Sequence, residues 1–206
     1  MNVIRSQAAG HFDTEAQLVA ALEHYVFKIF PSMQTSLREV PTKDGIADMV
    51  LGKPVSVSRL RRMRTHFRHD CLAAQCSPFV NKKKICLSDL FSEVIAIEAK
   101  LYDWPKALYQ ASRYRQFANR CYVALDAVGT RRALRNRTEF YEANVGLISV
   151  ASGRARILIA SPTQRPYAIE SSGPIGARSF LSSDRLIRHR VYKSDPRSMS
   201  AIALNA

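Results

Sequence analysis

Val94-Ile-Ala-Ile-Glu98-Ala-Lys100 is an apolar run that ends on a carboxylate and an ammonium. Its length and β-branched content predict a buried strand. Side chains alternate across a strand, so Glu98 and Lys100 share one face, one pleat apart, while Ile95, Ile97 and Ala99 share the other. An ion pair at an exposed strand edge would contribute little. Among apolar neighbours the same charges are expensive unless they are paired or hold a metal. A second charge of this kind is Asp48, which interrupts the apolar run Ile46-Ala-Asp-Met-Val-Leu51. Two carboxylates and an ammonium at the ends of neighbouring strands form a hard-cation site with a lysine beside it. Phosphodiester hydrolysis needs that combination: a metal to polarise phosphate and acidify water, and a lysine to hold the nucleophile or the developing charge.

Outward from this strand, helices and strands alternate. Thr14 and Gln17 form a capping-box signature, followed by Leu18, Leu22, Tyr25, Val26 and Ile29 at helical spacing until Pro31. Ser36–Val40 and Ile46–Leu51 read as strands joined by the turn sequence Pro41-Thr-Lys-Asp-Gly45. Val57, Leu60, Met63, Phe67 and Cys71 mark an amphipathic helix. Beyond Lys100, Asp103 caps a helix with Pro105 in its first turn, and Ala107, Leu108, Ala111, Tyr114 and Ala118 form its apolar stripe. Cys121–Leu125 reads as a strand, residues 130–144 as a helix, and Val145–Val150 with Arg156–Ala160 as a terminal pair of strands. This order predicts an α/β sandwich over residues 13–160. Residues 161–206 read as a basic, partly disordered C-terminal extension.

The 206 residues suit one domain. Eight Gly and nine Pro exclude a collagen-like or low-complexity chain, and 47% hydrophobic residues exclude global disorder. No apolar run has the length of a membrane span, and the N-terminus lacks a signal-peptide core, so a cytoplasmic protein with no membrane partner and reduced thiols is expected. The 31 Lys+Arg against 17 Asp+Glu leave a net charge of +14, which attracts polyanions, nucleic acid foremost. Residues 53–84 hold nine of those cations against Asp70 alone. Arg59, Arg61, Arg62, Arg64 and Arg68, with the run Lys82, Lys83 and Lys84, are therefore expected to track a nucleic-acid backbone. A membrane surface is the weaker reading, because the apolar face of that helix is modest. His66, His69, Cys71, Cys76 and Cys86 suggest zinc, but their spacing matches no zinc-finger pattern and ordinary burial is favoured.

Asp48, Glu98-Ala-Lys100 and the helix opening Asp103-Trp-Pro-Lys-Ala-Leu resemble the core of the PD-(D/E)XK nuclease superfamily, the restriction-endonuclease-like fold, over about residues 13–126. Gln110-Ala-Ser-Arg-Tyr114 resembles the Q-x-x-x-Y motif of its recombination-exonuclease branch, and its two named residues are neighbours on one helix face. The resemblance implies a mixed β-sheet flanked by helices. It implies that Asp48, Glu98 and the Ala99 carbonyl bind Mg²⁺, with Mn²⁺ able to substitute, and that Lys100 positions or activates the attacking water. A Glu on the first helix often joins such sites; Glu15 fits that place and Glu23 competes for it. Gln110 would belong to the catalytic centre, and Tyr114 would either contact nucleic acid or pack. Ala47 replaces the nominal proline, and the gap of 50 positions from Asp48 to Glu98 implies a basic helical insertion at about 53–90. The implied activity is metal-dependent hydrolysis of nucleic acid, DNA rather than RNA, with a homodimer compatible. The alternative is an inactive nuclease-fold module that binds nucleic acid, or a basic subunit of a larger complex.

Overall fold

The first helix, α1 (Glu15–Ile29), begins where its capping residues predict: Thr14 Oγ1 accepts the Gln17 N–H at 3.2 Å. Gln17 answers one residue earlier than a standard capping box, accepting the Asp13 N–H at 2.9 Å. The computed structural model describes residues 12–42, 45–73, 79–80, 83–84, 86–167 and 180–181, with the backbone alone for 66–73, 79–80 and 83–84. Two strands follow the helix, β1 (Thr35–Thr42) and β2 (Gly45–Pro54), then α2 (Val57–Ala73) and the short strands β3 (Phe79–Val80) and β4 (Lys83–Lys84). Next come α3 (Leu87–Leu90), β5 (Phe91–Lys100), α4 (Trp104–Arg113) and, after a 3₁₀ turn, β6 (Arg120–Asp126). The described domain continues through α5 (Ala127–Arg135), α6 (Arg137–Ala143), β7 (Gly146–Ala151) and β8 (Arg154–Ile159). Among the described residues, no helix is long and apolar enough to cross a membrane.

The main sheet has six strands in the order β1-β2-β5-β6-β7-β8. Its centre, β5-β6-β7, is parallel, and antiparallel pairs close both ends. It is therefore a mixed sheet within an α/β fold, covered by helices on both faces. Alternation along β5 divides the core. Ile95, Ile97 and Ala99 pack with Leu18, Leu22 and Val26 of α1, while Val94 and Ala96 pack with Ala107, Leu108 and Ala111 of α4. Burial on both faces explains why β5 and β6 read as nearly unbroken apolar runs.

Three expectations need correction. The single helix over 130–144 is two helices, parted at Asn136 (φ −112°, ψ 31°). The first of them starts early, because Asp126 is its N-cap and accepts the Gly129 N–H at 2.6 Å. A buried aspartate after an apolar strand is thus a cap here. The insertion at 53–90 begins with the last residues of β2, and α2 then leaves from the amino end of β5, where the Val55 N–H donates to the Leu90 carbonyl at 3.0 Å. Finally, the domain does not stop at residue 160. Ser161 Oγ accepts the Cys121 N–H at 3.2 Å, and the Gln164 N–H donates to the Asn119 carbonyl at 2.9 Å. Phe180 is fully buried, its ring 4.7 Å from that of Phe91, and Leu181 beside it is also buried. The remainder of the expected extension, 168–179 and 182–206, lies outside the described residues.

Phe180→Ala should remove a buried ring from the main core and cost about 3–5 kcal/mol in a urea titration. A loss under about 1 kcal/mol would detach this segment from the core.

Candidate active site

The pairing of β2 with β5 ends at Met49↔Ile97. On that register Asp48 would next face Glu98, and Ala47 then Ala99, but the strands part there, and Asp48 Oδ2 accepts the Ala99 N–H at 2.7 Å. A side-chain carboxylate thus takes the place of a ladder carbonyl. On its other side β2 stays paired with β1 through Arg38↔Met49 and Val40↔Ala47, and the residue between, Glu39, adopts φ 52°. A left-handed non-glycine residue inside a strand is uncommon. Asp48 therefore sits at an irregularity in both ladders, where backbone room exists for a side chain to turn inward.

Glu98 is held more tightly. Its side chain is 2% exposed, with Oε1 3.4 Å from Lys100 Nζ. The Tyr114 hydroxyl lies 2.6 Å from Glu98 Oε2 and 3.0 Å from the Ile46 carbonyl, so one proton serves two acceptors. Lys100 Nζ donates in turn to Glu15 Oε2 at 3.0 Å. Glu15 opens α1, and its half-exposed carboxylate reaches the ammonium from the opposite layer of the fold. Glu23, two turns further along α1, lies 3.9 Å from Arg38 instead. Of the two candidates on this helix, Glu15 is the one beside Lys100.

Burial governs the electrostatics. It raises the Asp48 carboxyl above its usual range, and the Ala99 N–H and Lys100 only partly offset this. Glu98 is pushed up to about 7, first by burial and next by the charge of Asp48, against the pull of Tyr114 and Lys100. Burial alone would lower Lys100, but Glu15, Glu98 and Asp48 outweigh it and raise it above its ordinary value. Tyr114 is also raised, by burial and then by Glu98, so it stays a proton donor. The result is a lysine that keeps its charge beside two carboxylates that resist ionising together.

Such a donor set suits a hard divalent cation. Mg²⁺ takes oxygen ligands, commonly one or two carboxylates with water and phosphate completing its shell. Asp48 and Glu98 offer carboxylate oxygens of that kind, and a second negative charge would cease to be costly beside such an ion. Among the described residues, no group of three or more His, Cys, Asp or Glu forms a metal cluster. The zinc alternative falls mostly outside the description, which covers neither Cys76 nor the side chains of His66, His69 and Cys71; Cys86 is half-buried.

The other expected site residues divide. Tyr114 is corrected: at 3% exposure it has no access to nucleic acid, and its hydroxyl orients Glu98 from beneath. The helical stripe placed its ring in the core, but only the packing of α4 on the sheet aims its hydroxyl at the carboxylate. Gln110, one turn earlier, is half-buried, and its Oε1 is buried without a hydrogen-bond partner among the described residues. Arg59, Arg61 and Arg62 are exposed and Arg64 is half-buried, in the first turns of α2. They start from the end of β5 opposite Lys100, so the fold does not gather them with the carboxylates at the start of that helix. The side chains of Arg68, Lys83 and Lys84, and all of Lys82, lie outside the described residues.

No protein-family model and no curated protein matches this chain. Among solved structures, a protein of unknown function from Silicibacter pomeroyi is similar over 75% of this chain and 77% of that one, with 17% identity and a TM-score of 0.41. A likeness of that degree carries neither a fold name nor a function to this chain.

Glu98 binds its proton up to about pH 7 in the fold, against an ordinary value of 4.5. Between those values the folded state holds a proton that the unfolded chain has released, so stability falls as pH rises. In EDTA, urea titrations across that window should show a decline of up to about 1.4 kcal/mol per pH unit. Glu98→Gln should flatten it, and an equally steep decline in that variant would assign the proton elsewhere. Tyr114→Phe removes a donor from a buried carboxylate and should cost about 1–3 kcal/mol. Because Tyr114 lowers the Glu98 value, the decline in this variant should extend to higher pH.

Proposed function

We propose that this protein is a metal-dependent nuclease that hydrolyses phosphodiester bonds, with DNA favoured over RNA by the family resemblance. The observation that carries the reading is the meeting of Asp48, Glu98 and Lys100 where β2 and β5 part, although 50 residues separate the two carboxylates in the chain. Supporting it, α1, β1, β2, β5, α4 and β6 follow one another in the order of the resembled core, with the insertion between β2 and β5.

In this reading Asp48, Glu98 and the Ala99 carbonyl hold Mg²⁺ or Mn²⁺. When bound, the ion supplies a positive charge for the phosphate and lowers the pKa of water. The protein's own residues do the rest. Tyr114 fixes the Glu98 carboxylate, so that its second oxygen faces Lys100. Lys100 keeps its proton and acts as a fixed cation, holding the anionic nucleophile or the charge that builds on the phosphate. In the site as the chain alone builds it, the raised pKa of Lys100 favours this role over proton abstraction, and a bound cation would offset part of the carboxylate charge that raises it. Glu15 restrains the ammonium, and its exposure leaves it free to exchange that contact for water or substrate.

Labelled single-stranded, double-stranded and branched DNA, and RNA, should be incubated with wild type, Asp48→Ala and Lys100→Ala in Mg²⁺, Mn²⁺ or EDTA. Metal-dependent cutting is expected, falling about 10²-fold or more in each variant. Undiminished cutting by both variants from a clean preparation would end the assignment. Tight, salt-sensitive binding with no cutting under any metal would replace it with the binding-module reading.

A further inference from the structure

We infer that α5 and the first residue of α6 form the surface that grips nucleic acid beside the candidate active site, through Arg131, Arg132, Arg135 and Arg137. The inference rests on the nuclease reading and adds to it the face along which the substrate runs.

Charge and position both point there. Residues 127–138 contain four arginines and no acid. All four arginines are exposed, and none has an ion-pair partner among the described residues. On a helix of 3.6 residues per turn, Arg131, Arg132 and Arg135 fall within about 100° of arc. The opposite side carries Gly129, Thr130 and Ala133, which are buried against the sheet. The basic arc therefore faces solvent as one surface.

Its placement is what the sequence pattern concealed. β6 runs parallel to β5, and its Leu125 pairs with Lys100. One residue later Asp126 caps α5, so this helix starts at the sheet edge that holds Glu98 and Lys100. Gly129 brings its first turn against the chain just beyond Lys100: a Cβ there would collide with the Leu101 carbonyl oxygen. Arg131 and Arg132 follow two and three residues on, about 3–5 Å along the helix axis. The arginines of α2, by contrast, start from the other end of β5, a strand of 10 residues, or about 30 Å of extended chain.

Helix stability does not account for the whole cluster. Arg132 and Arg135 lie in the last turn of α5, where a cation is favoured. Arg137 opens α6, where the helix dipole disfavours a cation, and Arg131 lies in neither terminal turn. Arginine also matches phosphate oxygens in a two-pronged geometry that lysine lacks.

The test is the salt dependence of binding to labelled DNA in EDTA, with the full chain. Compared are wild type, the triple variant Arg131→Gln/Arg132→Gln/Arg135→Gln, the same positions changed to Lys, and a control triple of Arg59, Arg61 and Arg62 changed to Gln. The α5 glutamine variant should lower the slope of log K against log salt by about 2–3, and the lysine variant should largely restore it. Should the triple variant lose its fold by circular dichroism, Arg131→Gln and Arg132→Gln alone carry the test at about 0.7–0.9 each. A wild-type slope in the α5 variants, with the loss appearing in the α2 control, would overturn the inference and leave the nuclease reading intact. No salt-dependent binding by wild type to any nucleic acid would remove both.

Discussion

The structure turns on a carboxylate that has almost no water. Glu98 sits in a central strand flanked on both sides by other strands and covered by α4, and a charge there is tolerated only with partners. Those partners come from separate parts of the chain. Lys100 comes from the same strand face, Tyr114 from the end of α4, and Glu15 reaches in from α1 to hold the lysine. The elements that enclose the sheet are thus also the elements that make its buried Glu98 possible. Displacing α4 or the start of α1 would leave a buried charge short of its hydrogen bonds, which costs more than the lost packing alone.

The same constraint sets the chemistry. Burial raises the affinity of both Asp48 and Glu98 for protons, the charge of Asp48 raises that of Glu98 further, and the Lys100 ammonium offsets both only in part. The site is short of positive charge as the chain alone builds it. In the proposed nuclease reading, a divalent cation would bring two positive charges and a phosphodiester one negative, a net gain of the positive charge that the site lacks. The parting of β2 from β5 supplies the space, because the ladder ends where the first carboxylate turns in to take the Ala99 N–H.

Much of this was legible in the residues. Glu98 and Lys100 on one face of a strand follow from the two-residue period, and Asp48 stands out because it interrupts an apolar run. The caps at Thr14 and Asp103 and the stripe of α4 also follow from local rules. Asp126 was not legible, since an aspartate closing an apolar strand looks the same whether it caps a helix or binds a ligand. The choice between Glu15 and Glu23 was equally hidden, because both lie on α1 and only the crossing of that helix over the sheet decides which one meets Lys100. Tyr114 read as either packing or recognition; its ring does pack in the core, and its buried hydroxyl in addition orients a carboxylate.

Local sequence determined the kinds of element, their order and the unusual charges within them, because capping, periodicity and the cost of burying charge act over a few residues. It also located the densest positive charge, in residues 53–84. What tertiary structure alone decided is which of these features meet. Strand order and direction bring Asp48 to Ala99 across 51 positions and Lys100 to Glu15 across 85. They also start α2 at the far end of β5 and α5 at the near end. Sheet pairing is a long-range choice, made by the burial of whole faces, and no local pattern encodes which edge of the sheet a given helix will leave from.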